Sequence, residues 1–136
     1  MTTTPKQTLK PFAEIFEIDT SGTDSVAIWS IPAGTIITRV LAKIKTAGSG
    51  SGNLTIGDDD DPDGYILAGD ATAAADTIYG DTPEELGAYL YMGVSYHSEK
   101  WKQYTSAKTL YIDCSGALTT EATVDVFVFG YRYYED

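Results

Sequence analysis

The stretch that decides the fold runs from Ser25 to Leu67 and reads SVAIWSIPAGTIITRVLAKIKTAGSGSGNLTIGDDDDPDGYIL. Two apolar runs are joined by Pro32-Ala33-Gly34, where proline lacks the N–H that a sheet needs and glycine tolerates a positive φ. A Gly/Ser loop over 47–52 then leads to a short strand, an acidic turn and another strand. This order of short strands and turns predicts antiparallel β-sheet.

The rest of the chain repeats this pattern. Further strands are predicted over 12–18, 89–96, 101–105, 109–114 and 122–134. Between residues 68 and 88 the pattern lapses, and Thr82-Pro83-Glu84-Glu85 has the form of a short capped helical turn. Because strands do not alternate with helices, the sequence predicts an all-β antiparallel β-sandwich, with a jelly roll as the favoured topology and an irregular excursion over 68–88.

The length of 136 residues fits one domain. Residues 1–11 are rich in Thr, Lys and Pro and show no periodicity, which predicts a flexible N-terminal arm. This arm is either a disordered end or a segment that becomes ordered on a partner. Residues 12–136 are predicted to form a single β-sandwich domain.

The predicted strand over 35–46 carries a basic stripe. Its alternation places Ile36, Thr38, Val40, Ala42 and Ile44 on one face and Ile37, Arg39, Leu41, Lys43 and Lys45 on the other. In an acidic chain, Arg39, Lys43 and Lys45 form a local positive patch. They either protect an exposed strand from aggregation, as lysines commonly do, or bind a partner.

The last predicted strand is apolar on both faces. Val124, Val126 and Val128 lie on one side, and the other side carries the aromatic residues Phe127, Phe129, Tyr131 and Tyr133. A strand of an isolated sandwich is expected to present polar residues to water on one side. The aromatic side is therefore predicted to be covered by a loop, an arm or another subunit. Homo-oligomerisation is the simplest of these, which makes the four aromatic residues oligomer-interface candidates.

The charge and the cysteine content narrow the classes of function. Nine basic and twenty acidic residues give a net charge of −11, so nucleic acid and anionic membranes are not expected as partners. Cys114 is the single cysteine and lies in a strand-like run, which predicts a buried small side chain. The chain has no run of 18 apolar residues and no signal-peptide pattern, so synthesis in the cytosol is expected.

The acidic run from Gly57 to Gly64 partly matches a calcium loop. With Asp59 at position 1, the residues Asp61, Asp63 and Asp70 fall at positions 3, 5 and 12, and Gly64 falls at position 6. The match departs from the pattern in two ways, because strands flank it and Asp70 replaces the usual glutamate. Asp-Pro-Asp-Gly is also a good turn sequence. The expectation is a solvated acidic turn with no metal or cofactor, and calcium is the alternative.

No catalytic motif is found in the chain. The single histidine, His97, lies in a loop-like stretch, and no nucleophile elbow, phosphate-binding loop or dinucleotide fingerprint occurs. The protein is therefore not expected to be an enzyme. Trp29 is predicted to lie in the core and Trp101, between two lysines, to be partly exposed, so an aromatic platform for sugar remains a possible use.

Three short segments resemble small structural proteins of tailed bacteriophages. They are Ile31-Pro32-Ala33-Gly34-Thr35, Leu54-Thr55-Ile56-Gly57-Asp58 and Asp61-Pro62-Asp63-Gly64-Tyr65. The likeness extends over residues 25–70, about a third of the chain, and is carried by turns. It is greatest to head decoration (cement) proteins, which are jelly rolls.

The resemblance implies a homotrimer that binds the lattice of the major capsid protein and stabilises the capsid without chemistry. It further implies a protein made in the host cytoplasm and located on the capsid exterior of the virion. Arg39, Lys43, Lys45 and the N-terminal arm are then the candidates for capsid contact. The alternative is a carbohydrate- or receptor-binding module of a phage tail or fibre, because such modules use the same sandwich.

Overall fold

The computed structural model describes residues 8–20, 25–91 and 100–134. These residues form nine strands and one 3₁₀ turn. The elements are β1 (Thr8–Asp19), β2 (Ser25–Ile31), β3 (Thr35–Thr46), β4 (Ser49–Gly57), β5 (Ile66–Asp70), β6 (Ile78–Tyr79), the 3₁₀ turn (Pro83–Glu85), β7 (Lys102–Gln103), β8 (Lys108–Thr120) and β9 (Thr123–Tyr134).

The strands form two antiparallel sheets. The five-stranded sheet has the order β1-β9-β3-β6, with β7 also paired to β3, and the four-stranded sheet has the order β2-β8-β4-β5. The pairs are nested, since β4 pairs with β5, β3 with β6 and β7, β2 with β8, and β1 with β9. A long antiparallel hairpin rolled up in this way is a jelly roll. The predicted all-β sandwich is confirmed.

The core lies between the two sheets and is built from alternate residues of their strands. On β9 the inward residues Val124, Val126 and Val128 are fully buried, as the alternation predicts. Each such side chain contributes roughly 1.5–3 kcal/mol relative to an exposed one. Cys114 is also buried among these residues, so its prediction is confirmed.

The prediction for the first residues of β3 is wrong. A bulge interrupts the pairing of β3 with β9 between Ile37 and Arg39 and reverses the alternation. As a result Ile37 joins the core cluster, whereas Ile36 is opposite Tyr131 and lies outside that cluster, although it is also buried. From Arg39 onward the faces are those predicted. A strict alternation cannot reveal a bulge, because the extra residue is set by the partner strand.

The Gly/Ser loop predicted over 47–52 is mostly strand. β4 begins at Ser49 and pairs with β8 along its whole length, so the connection from β3 comprises residues 47 and 48. Glycine at position 52 serves close packing, since a Cβ there would lie 3.1 Å from the Cys114 sulfur and from Leu118. Glycine content, which usually indicates a loop, here reflects strands that approach each other closely.

The ends of other elements also differ from the predictions. β1 begins at Thr8, four residues before the predicted strand, and residues 1–7 of the predicted arm lie outside the described residues. β8 extends to Thr120 rather than Cys114. The short helical turn predicted after Thr82 is present as a 3₁₀ turn, but the Thr82 side chain makes no capping hydrogen bond. Of the strand predicted over 89–96, residues 89 and 90 lie in a turn, and residues 92–99 are not described.

Candidate interaction surface

The side of the five-stranded sheet that faces away from the core, called the outer face below, is rich in apolar side chains. The pairing aligns them in rows across three strands, with Ile15, Phe127 and Leu41 in one row. The next row contains Ala13, Phe129 and Arg39. The apolar residues of the outer face are Leu9, Pro11, Ala13 and Ile15 on β1, Phe127, Phe129 and Tyr131 on β9, Leu41 on β3 and Ile78 on β6.

Several of these side chains are open to solvent. The exposed fraction is 64% for Ile15, 44% for Leu9, 42% for Tyr131 and 41% for Ile78. Scattered exposed apolar residues are ordinary on a protein surface, but a contiguous group of them is typical of an interaction site. Here they share one face of one sheet.

The oligomer-interface candidates lie on this face. Phe127 and Phe129 are half-buried because β1 and β3 flank them, and Tyr131 is exposed. The backbone of Tyr133 continues β9, and its side chain is outside the described part of the structure. The role of these residues as an interface stays a prediction.

The basic stripe lies beside the aromatic row. The Lys43 ammonium is 3.3 Å from an Asp76 carboxylate oxygen, and the Lys45 ammonium is 2.7 Å from a Glu17 carboxylate oxygen. The hydrogen bond to Glu17, followed by the attraction of the same carboxylate, raises the pKa of Lys45. Within the described residues Arg39 has no ion-pair partner, so it is the unneutralised cation of the three candidates.

The acidic loop is organised by Asp58, a residue outside the calcium pattern. Asp58 is 1% exposed. Its Oδ1 accepts hydrogen bonds from the backbone N–H groups of Asp60 and Asp61, both at 3.0 Å, and from the Tyr89 hydroxyl at 2.7 Å. Its Oδ2 accepts a hydrogen bond from the Tyr104 hydroxyl at 2.7 Å. One carboxylate thus fixes the turn and connects it to two distant segments of the chain.

Burial of Asp58 acts to raise its pKa, but the hydrogen bonds from Tyr104, Tyr89 and the two backbone N–H groups outweigh it and lower the pKa below its ordinary value. The Tyr104 hydroxyl is also 2.6 Å from the Tyr65 hydroxyl. Burial is the first cause that raises the pKa of all three tyrosines. Phenols held neutral in this way act as hydrogen-bond donors rather than as acids or bases near neutral pH.

The calcium-pattern residues have separate surroundings. Asp70 accepts hydrogen bonds from the Thr72 N–H and hydroxyl, which lower its pKa and close a local turn. The pKa of Asp61 is raised, first by a hydrogen bond between its side chain and that of Asp63. Asp59 is exposed. Over residues 8–20, 25–91 and 100–134, no group of three or more His, Cys, Asp or Glu side chains is arranged to hold a metal ion.

Sequence patterns do not reveal the Asp58 cluster. Its members are 31 and 46 residues from Asp58 along the chain. The one feature of the sequence that could have indicated the role of Asp58 is its position directly after a strand that ends in glycine. A Cβ on Gly57 would collide with the Asp61 carbonyl oxygen, which requires glycine before this turn. Lys102 lies over the Tyr89 ring, with its ammonium 4.5 Å from the ring centre, and adds a cation–π contact.

The two tryptophans lie in different environments. Trp101 is 60% exposed, which confirms the prediction for it. Trp29, predicted to lie in the core, is half-buried and packs against the core at the seam between the edge strands of the two sheets. Its ring centre is 5.7 Å from that of Phe12, and the Arg132 guanidinium lies 4.5 Å from the Phe12 ring and 5.0 Å from the Trp29 ring. Aromatic and cationic contacts close this seam.

Within residues 8–20, 25–91 and 100–134, no helix is long and apolar enough to cross a membrane. The histidine of the chain, His97, lies outside the described residues. What the structure displays is a jelly roll with a fixed acidic loop and one apolar outer face.

The comparisons with known proteins agree with this architecture. No family model matches the chain, and no curated protein matches it in sequence. A chain of the capsid asymmetric unit of the cyanophage Pam1 has a similar structure, with a TM-score of 0.58 and 16% identity over 97% of this chain and 93% of that chain. A chain in the acidic stable capsid structure of the Helicobacter pylori bacteriophage KHP30 matches with a TM-score of 0.56 and 11% identity, over 95% of this chain and 100% of that chain. At these identities the likeness is one of fold.

Proposed function

We propose that this protein is a structural protein of a bacteriophage virion that decorates and stabilises the capsid exterior as a homotrimer. Two solved structures that share its fold along almost the whole chain are described as phage capsids, which supports this proposal. Its partners are then the lattice of the major capsid protein and further copies of itself. In this role it is not an enzyme, needs no cofactor, and binds neither nucleic acid nor membrane.

The observation that carries the proposal is the outer face. Strands of 12 residues are about 40 Å long, and three strands at about 4.8 Å spacing give a face of roughly 600 Å². Stable interfaces bury about 800 Å² on each partner. The outer face alone is somewhat smaller than this, so a stable interface between subunits would also include residues at its border.

Charge favours another copy of the chain as the occupant of this face. Two molecules of net charge −11 repel each other unless they meet where the charge is balanced. The outer face carries Arg39, Lys43 and Lys45, and four acidic residues, Glu17, Asp19, Asp76 and Asp125, lie on or beside it. Three basic against four acidic residues leave its charge nearly balanced. A trimer that buries this face would cover the aromatic residues of β9, which the sequence predicts to be covered.

The oligomeric state is tested by light scattering after size exclusion, with calcium and again with EDTA. We expect a mass of three times 14.7 kDa in both buffers. Phe127→Lys is expected to give a monomer, because it places a charge in the middle of the face. Leu67→Lys is the matched control, since Leu67 is exposed on the other sheet. A monomer in the unaltered protein contradicts the trimer.

Capsid binding is tested by co-sedimentation with shells of the major capsid protein from the same virus. Reversing the three charges of Arg39, Lys43 and Lys45, and separately deleting residues 1–7, examines the two candidates for capsid contact. The deletion stops at residue 7 because β1 begins at Thr8. If the trimer forms but does not bind shells, the capsid role is wrong while the oligomer stands. If both variants bind normally, neither candidate is the contact.

One observation favours the second candidate function, a carbohydrate- or receptor-binding module. Trp101 is exposed and lies between Lys100 and Lys102, an arrangement suited to stacking on a sugar ring. Titration of a broad glycan panel, followed by tryptophan fluorescence, tests it against the variant Trp101→Phe. A response that is lost in this variant supports the module, and the absence of any response removes it.

A further inference from the structure

The four edges of the two sheets are not equally protected. On the four-stranded sheet, β5 has five residues, and β2 has seven residues with a bulge between Ala27 and Trp29. On the five-stranded sheet, β6 and β7 have two residues each. Short and bulged edges are the usual protection against pairing with other chains.

β1 is neither short nor bulged, although Lys10 and Pro11, two residue types that are common on protected edges, lie near its start. It is an edge strand of 12 residues whose pairing with β9 is continuous from Thr8 to Asp19 without a bulge. Nine of its residues are exposed, three are half-buried and none is buried. Phe12 and Phe16 pack against Trp29 on the inner side, whereas Leu9 and Ile15 on the outer side are open to solvent. Ile15, the most exposed of the large apolar residues in the described part of the chain, is in this strand. We propose that the free edge of β1 pairs antiparallel with β1 of a second copy.

The position of Pro11 indicates which peptide groups are available. An edge strand accepts proline where its nitrogen faces away from the neighbouring strand, because no donor is then lost. With Pro11 oriented in this way, the peptide groups of Leu9, Ala13, Ile15 and Glu17 also face the free edge, since they alternate with those directed to β9. The edge therefore presents a row of donors and acceptors with one donor missing.

One register makes the strand complementary to itself. A two-fold axis at Phe12 places Leu9 opposite Ile15 and Pro11 opposite Ala13 on the outer side. On the inner side it places Lys10 opposite Glu14, whose carboxylate also lies 3.9 Å from the Arg132 guanidinium of its own chain. Apolar residues then meet apolar residues, and opposite charges meet twice. A register centred on Glu14 instead places two glutamates directly opposite each other, which is unfavourable. The favoured register joins two five-stranded sheets into one continuous sheet.

This contact is additional to the proposed trimer and does not depend on the capsid role. It uses the backbone edge of β1 together with outer-face side chains at that edge, Leu9 and Ile15 among them, whereas the trimer contact centres on the aromatic residues of β9. Under the proposed function, a two-fold contact of this kind connects copies that belong to neighbouring trimers.

The experiment is disulfide crosslinking of the purified protein without shells. The double variant Leu9→Cys with Ile15→Cys places two cysteines opposite each other in the proposed register, at a Cα separation of about 5.5 Å, which a disulfide spans. We expect mild oxidation to give a covalent dimer. The single variants Leu9→Cys and Ile15→Cys are matched controls and are expected not to crosslink, since neither residue faces its own copy. Cys114 is buried in all of them.

A further variant tests the backbone pairing. Ala13→Pro removes one outward donor from an exposed residue, and in the double-cysteine background it is expected to abolish the crosslink. Circular dichroism confirms that each variant is folded. Equal crosslinking of the single variants, or no crosslink in a folded double variant at concentrations where it self-associates, overturns the proposal. Shell binding is not measured here, so a failure of this experiment is distinct from a failure of the capsid role.

Discussion

Replacement of Asp58 tests whether the acidic loop is a fixed structural element. Asp58 accepts four hydrogen bonds while almost fully buried. A hydrogen bond to a charged group contributes roughly 1.5–3 kcal/mol, but Tyr104 can still bond to Tyr65 when Asp58 is lost, and the loop relaxes. Asp58→Ala is therefore expected to lower the free energy of unfolding by about 4 kcal/mol, since contributions within one network do not add.

Asp58→Asn is the sharper variant, because it keeps the shape and removes the charge. An amide oxygen can still accept three of the hydrogen bonds, and its NH₂ group can donate to Tyr104. We expect a loss of about 2 kcal/mol at pH 7, the difference between charged and neutral acceptors. Asp59→Asn is the matched control, because Asp59 is adjacent and exposed. Urea denaturation of the three proteins measures the difference.

The contribution of the Asp58 carboxylate to the free energy of unfolding is expected to depend on pH, and the pKa of Asp58 sets the direction of this dependence. The hydrogen bonds lower the pKa of Asp58 in the folded state below its unfolded value of about 3.9. The carboxylate therefore stabilises the fold above about pH 4, and this contribution is lost as the pH falls through the folded pKa. The difference between the original protein and Asp58→Asn should be full at pH 7 and shrink toward pH 3. A difference equal to that of Asp59→Asn, or one unchanged at low pH, refutes the reasoning.

Three other predictions concern the core and the seam. Ile37→Ala is expected to cost about 3 kcal/mol by leaving a cavity in the core cluster, and Ile36→Ala somewhat less, because Ile36 is 9% exposed and lies outside that cluster; thermal unfolding compares the two. Gly130→Ala should destabilise by about 2 kcal/mol or more in the same assay, since its Cβ would collide with the Ile36 carbonyl oxygen. Arg132→Gln should alter the fluorescence of Trp29 and cost about 1 kcal/mol, whereas an unchanged spectrum contradicts the cation–π contact.

The alternation of apolar and polar residues predicted most of the fold, because alternate residues of each strand in an antiparallel sandwich face the core and the solvent. The faces of β9 and of β3 beyond Arg39 follow from the sequence alone. The bulge in β3 and the extension of β4 through Ser49 could not be predicted, because both are set by strands far away in the chain. Local composition favoured a loop over 47–52, and tertiary pairing overrode it.

The residues of the candidate interaction surface could be predicted from the sequence, but their positions relative to one another could not. The basic stripe and the aromatic row were each visible as one face of one strand. Their adjacency required the pairing of Arg39 with Phe129, which joins residues 90 positions apart. The Asp58 cluster was invisible for the same reason, since the tyrosines that bind this carboxylate come from two other segments. The calcium pattern in the acidic run begins at Asp59, whereas the residue that organises the loop is Asp58, one position earlier.

The placement of charge is compatible with the proposed contacts between copies of so acidic a chain. A surface with a net charge of −11 spread evenly would oppose association at every orientation. Here Lys45 pairs with Glu17 and Lys43 with Asp76 at the border of the outer face, while a dense group of acids is held in the loop that Asp58 organises. Repulsion therefore disfavours contacts through that loop and permits contact through the outer face and the edge of β1. Charge repulsion thus selects the orientation in which copies can meet. Because salt screens this repulsion, a higher salt concentration should weaken the selection of orientation before it weakens the apolar contact.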